Sequence, residues 1–301
     1  MTEQAGQGPG PGPEMPHILL QEPRWEAIRD VNRHRAIFAA GARAIEMQLA
    51  HPFVAQAVED AGYFEAEPLA RLRETAASGI ILIFETPEAA IAEVRRINGK
   101  HKKVDAKPLE ERVLKEDLGP HYKAGNPYSA HDQEAQKWVA ATIIDSSFLA
   151  HETFVGPLSP ETKIRYLQQA QELFGTMGLR IPLPKTDQEL KAYIQEMIDS
   201  QRVIVGSAAR RLSPKVLGSG LFPGSEVASS YLKLTTIALL PEKLRKQYRL
   251  QQLTPGQRRA FELSAAGFRK VLPHLLSIVT LNGVARGAEK RTRAIAREQT
   301  Q

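Results

Sequence analysis

From Trp25 to about Arg297 the apolar residues recur at the spacing of a helix, and nowhere do they make a clear two-residue alternation of the kind a strand requires. Trp25 to Leu49 carries Ile28, Val31, Ile37, Ala40, Ile45 and Leu49 near one helical face, and Pro52 marks its end. Pro68 to Phe84 reads as a second helix. Thr86-Pro87 then supplies a capping hydroxyl and a proline whose fixed φ suits the first helical position, so a third helix starts there and continues through Ala90, Val94 and Ile97. Asp105 to Tyr128 is charged and broken by Pro108, Gly119-Pro120 and Asn126-Pro127, which predicts loop. Ser129-Ala-His-Asp132 opens a helix through Trp138, Thr142 and Phe148. Ser159-Pro160 opens another to Gly175, and Thr186-Asp-Gln-Glu189 is a capping box for Leu190 to Ser200. Ser213 to Gly224, dense in glycine and proline, predicts a connector, and three more helices fill the rest. The expected fold is all-α, a single large helical domain over residues 21–297. It stands between a disordered leader, residues 1–20, and a short tail, residues 298–301.

Composition removes several classes of function. There is no cysteine, which excludes disulfides, thiolate metal sites, iron–sulfur clusters and a cysteine nucleophile. Histidine, carboxylate and tyrosine remain as ligands for any metal. The Gly-Pro leader has neither the basic nor the apolar region of a secretion signal, so a cytoplasmic location is expected. No apolar run reaches the ~18 to 20 residues of a membrane span. The net charge of +6 is uneven: from Glu242 onward thirteen Lys/Arg face four Asp/Glu, while the preceding residues are net acidic. These basic residues interleave with Phe261, Leu263, Phe268, Val271 and Leu272 as on solvated amphipathic helices. No aromatic ladder accompanies them, so nucleic acid is not an expected partner, whereas peripheral membrane contact stays open.

Three groups of residues could carry chemistry. On the third helix Ala90, Val94, Ile97 and His101 superpose on one face, which turns the histidine toward the apolar side. A neutral imidazole so placed suits the axial position of a haem iron; a core histidine or a helix-end cation is the alternative. Gly99 removes side-chain bulk beside it, although Asn98-Gly99 could also end the helix early. Arg71 and Thr75, one turn apart on the preceding helix, pair a cation with a hydroxyl that could anchor a propionate; a solvated arginine and a hydroxyl bonded to its own helix is the alternative. Gln48-Leu-Ala-His51-Pro52 places a histidine at a helix end, where a cation partnering the helix dipole is favoured over a ligand or a proton shuttle. Trp138, Thr142 and Asp145 share a face near Tyr128 and Asp132. No metalloprotease, nucleophile-elbow, phosphate-loop or dinucleotide motif occurs.

In their order and spacing, Gln48-Leu-Ala-His51-Pro52, Arg71-x-x-x-Thr75, His101-Lys-Lys-Val104 and Tyr128-Ser-Ala-His-Asp132 followed by Trp138 resemble the MpaB-type and rubber (latex-clearing) oxygenase catalytic domain, over roughly residues 31–197. The resemblance implies haem b held in a pocket between helices, with His101 as the metal ligand. Arg71 and Thr75 would act in catalysis and in cofactor binding, with Trp138 and Thr142 as further cofactor contacts. It implies dioxygen and a hydrophobic small molecule, of isoprenoid or polyketide type, as reactants, oxidative alkene cleavage as the reaction and secondary metabolism as the setting. A haem peroxidase, mono-oxygenase or rearrangement catalyst is the alternative; a cofactor-free helical protein binding a hydrophobic ligand is another. Where rubber oxygenases carry a lysine just before the pocket threonine, this chain has Glu74, and their catalytic glutamate has no clear match, with Glu59 and Glu65 nearby.

Overall fold

A computed structural model describes residues 25–34, 38–62, 68–218 and 226–271, together with Gly287. The leader and tail expected at the two ends lie outside the described residues. Among the described residues all regular structure is helical: α1 Glu26–Asn32, α2 Phe38–Leu49, α3 Pro52–Asp60, α4 Pro68–Phe84, α5 Pro87–Asp105, α6 Gln133–Phe154, α7 Pro160–Thr176, α8 Asp187–Asp199, α9 Ser207–Gly218, α10 Glu226–Leu239, α11 Glu242–Gln247 and α12 Pro255–Val271. Two isolated bridges, Val113 with Pro127 and Leu118 with Tyr122, tie the loop between α5 and α6. The all-α single domain is what the periodicity predicts.

The core forms around α6. Its small residues Ala140, Ala141 and Ala150 are fully buried, which lets neighbouring helices approach closely, and Ile144 and Phe148 fill the space between them. It packs along α2 and also meets α1, α7, α8 and α12. Two polar ties fix α2 against it. Trp138 is fully buried and its indole N–H donates to the Met47 carbonyl at 2.9 Å. The buried Arg43 pairs with Asp145 at 2.7 Å and donates to Ser146 Oγ at 2.6 Å and to the Leu239 carbonyl at 2.8 Å, joining α2, α6 and α10. We expect Trp138→Phe to cost about 2 kcal/mol, through the cavity left and the Met47 carbonyl stranded without its donor. A lower urea midpoint at unchanged slope checks this.

The structure departs from the periodicity in two places. The long helix expected over Trp25–Leu49 is divided: α1 stops at Asn32, whose side-chain amide turns back on the Ile28 carbonyl at 2.9 Å and onto the Tyr166 hydroxyl at 3.0 Å. Ser213 to Gly218, expected to be connector, is helical, because α9 runs straight through Pro214; the rest of that expected connector lies outside the described residues. Pro214 lies on the exposed side of α9, while Leu212, Ser213 and Val216 stay buried. Burial of that face outweighs the proline.

Candidate functional site

The Thr86 hydroxyl accepts from the Ala89 N–H at 3.4 Å and caps α5 as expected. Asn98-Gly99 does not end the helix, which continues to Asp105. Ala90 and Val94 are therefore buried, Ile97 packs against the core, and His101 is half-buried on the same face. A Cβ added at Gly99 would meet nothing within 4 Å, so this turn has open space beside it.

α4 returns antiparallel to α5 after a two-residue turn, and a cluster of charges holds the pair in register. Glu74 pairs with Arg96, and with Lys100 at 2.5 Å. Arg96 also donates to Glu93 at 2.6 Å and to Ser78 Oγ at 2.8 Å. The hydrogen bond from Arg96 holds the Glu93 carboxyl below its ordinary range, against the opposing push of burial. These ties set the α4 turn that contains Arg71 and Thr75 level with the α5 turn that carries His101. The side chains of Arg71 and Thr75 themselves lie outside the described residues. Glu74 is thus committed to α5.

On its other side the His101 ring meets that of His131, 5.9 Å between centroids and 85° between planes. His131 Nδ1 lies 2.5 Å from Asp105 Oδ2. Asp105 also accepts from Ser129 Oγ at 2.8 Å and from the Ala130 N–H at 2.9 Å, and Arg112 stands 3.4 Å away. Burial pushes the Asp105 carboxyl up, but the donors from His131, Ala130 and Ser129 outweigh it and the net shift is downward. Sequence reasoning did not single out Asp105; its spacing of four residues from His101 was the available signal. An open cleft of about 370 Å³ adjoins this group, lined by Asp105, Arg112, Tyr128, Ser129 and Asp132 among others. Leu109 and Pro127 complete its lining, so polar and apolar surface are mixed there.

The other expected site residues are spread across the fold. Trp138 faces Met47 and Tyr193, and the buried Thr142 donates to the Val139 carbonyl at 2.8 Å, so both have their polar atoms engaged in the core. Asp132 caps α6 by accepting from the Ala135 N–H at 2.8 Å, while the Tyr128 hydroxyl donates to Asp60 at 2.8 Å. Glu59 receives Arg211 at 2.7 and 2.9 Å; Glu65 lies outside the described residues. His51 is not placed as a helix-dipole cation: it is 2 % exposed and occupies the N-cap position of α3 without a side-chain capping bond, and burial pushes its pKa down to about 4, which favours the neutral ring.

A haem brings four equatorial nitrogens of its own and asks the protein for one axial imidazole. A half-buried histidine closing an apolar helix face meets that demand for a single imidazole. Among the described residues no group of three or more His, Cys, Asp or Glu could hold a metal ion. No described helix is long and apolar enough to cross a membrane.

A family model described as ER-bound oxygenase mpaB/B'/rubber oxygenase, catalytic domain, matches residues 28–270, about four-fifths of the chain. No curated protein and no solved structure matches it.

Proposed function

Because the chain belongs to the family of MpaB-type and rubber oxygenase catalytic domains, and is in that general sense an oxygenase, we propose that it uses haem b to cleave an alkene of a lipophilic small molecule with dioxygen. The observation that carries this reading is the position of His101, at the end of the buried α5 face and level with the Arg71–Thr75 turn of α4. Haem, when bound, supplies the redox centre at which dioxygen and the double bond react. His101 would hold the iron through an imidazole nitrogen. Arg71 would bind a haem propionate through charge-assisted hydrogen bonds, and Thr75 would offer a hydroxyl donor. Glu74, held by Arg96 and Lys100, stands where the rubber branch has a lysine, so no lysine from that position caps the iron. Trp138 and Thr142 serve as rigid backing on α6. We read the enzyme as cytoplasmic, with the basic C-terminal third available for peripheral membrane contact.

Purified protein expressed with a haem precursor should show a Soret band that shifts with dithionite and again with carbon monoxide. Isoprenoid-type alkenes incubated with it and dioxygen should then yield carbonyl products without added reductant. A protein that stays colourless through haem titration would overturn the proposal in favour of a cofactor-free helical binder of a hydrophobic ligand.

A further inference from the structure

We propose that Asp105 and His131 form a clamp that positions the His101 imidazole, an inference that builds on the reading of His101 as the haem ligand. An imidazole turns about its Cβ–Cγ bond in a broad, two-fold torsion unless something outside the ring stops it. Here a ring set perpendicular to it, 5.9 Å away, provides the stop. His131 holds that position only if its own ring is fixed, and its Nδ1 is tied to Asp105 Oδ2 at 2.5 Å. Asp105 is fixed in turn, because Ser129 Oγ and the Ala130 N–H bind its two oxygens at 2.8 and 2.9 Å.

Asp105 sits one helical turn beyond His101 on α5 and bonds three consecutive residues of the segment that leads into α6. The restraint therefore runs from the α5–α6 junction through Asp105 and His131 to His101. Its chemical effect is on direction: the orientation of the ring decides where the nitrogen lone pair points, and hence how well it meets an axial metal. Partners of this outer kind shift metal affinity by ~10-fold to ~100-fold without touching the metal. His131 and Asp105 are positioning residues on this account, and neither gives a ligand or a proton to the reaction.

The test compares the parent with His131→Ala, which leaves the Asp105 bonds to Ser129 and Ala130 in place, and with Asp105→Ala, which removes every tie. Haem transfer from each holoprotein to apomyoglobin should accelerate ~10-fold or more in both variants. Deuterium exchange at the imidazole C2 carbon of His101, followed by mass spectrometry in the haem-free protein, should quicken severalfold in His131→Ala at unchanged thermal midpoint. A merely structural role for His131 would lower the midpoint and leave the exchange of folded protein unaltered. An unchanged His101 exchange rate in folded His131→Ala overturns the clamp. Failure of the parent to bind haem overturns the functional proposal instead, and the exchange measurement on the haem-free protein then decides the clamp alone.

Discussion

His101→Ala should leave a folded, helical protein that no longer retains haem. On the reading proposed for His101, its imidazole would be the protein's bond to the iron, so its removal should release the cofactor. Structurally the substitution is mild. His101 is half-buried at the end of α5, and alanine is the better helix former, so the stability change should stay within about 1 kcal/mol. Soret absorbance per mole of protein should therefore fall by at least ~10-fold, while far-ultraviolet circular dichroism keeps the parent's helical signal. A variant with full haem and an unchanged spectrum would remove His101 from the iron.

The second large effect concerns pH and comes from Glu46. This side chain is fully buried on α2, and neither carboxyl oxygen has a hydrogen-bond partner among the described residues. Burial pushes its pKa up from 4.5 to about 8, only partly offset by the nearby hydroxyls of Ser213 and Tyr248; the latter donates to the Glu46 backbone carbonyl at 2.6 Å. The folded protein therefore keeps a proton that the unfolded chain has released, and stability falls as pH rises between those two values. The contribution is complete below pH 4.5 and lost as pH climbs through 8, a total of about 5 kcal/mol. His51 acts in the opposite sense. Its pKa drops from 6.5 to about 4, so its contribution is complete above 6.5 and lost as pH falls through 4, about 3 kcal/mol. His34, pushed down to about 4 by burial and by the neighbouring His151 and Arg33, adds to the acid loss in the same direction. Stability should thus peak on the acid side of neutrality. Glu46→Gln should abolish the alkaline decline, seen as urea midpoints that no longer drop between pH 6 and 9. A parent whose midpoints are flat over that range would show that Glu46 is not the neutral buried acid described.

The local grammar of this chain was highly legible. Pro68–Phe84 is bounded in the structure as the sequence bounds it, and Thr86, Ser159 and Thr186 each cap the helix they were expected to cap. The face of α5 that carries His101 could also be read, because helical spacing depends only on residues a few positions apart. What could not be read depends on residues far away in sequence. Asn32, the last residue of α1, donates its amide to the hydroxyl of Tyr166, 134 residues on. Pro214 stays helical because the α9 face beside it is buried against α2 and α3. Asp105 and His131 meet across the α5–α6 loop, and Glu46 is neutral only because other helices close over it. Of the candidate site, one helical hairpin was visible in advance, and its surroundings were not.

That hairpin also has a bearing on biosynthesis. Arg71, Thr75 and His101 fall within about thirty positions on α4 and α5, which are joined by two residues and tied by Glu74, Arg96 and Lys100. Closing so short a stretch costs little loop entropy, and contacts of low sequence separation form first. The two helices are thus expected to pair while α6 through α12 are still being made, so that the residues proposed to hold the cofactor are assembled on the nascent chain well before the core behind them is complete.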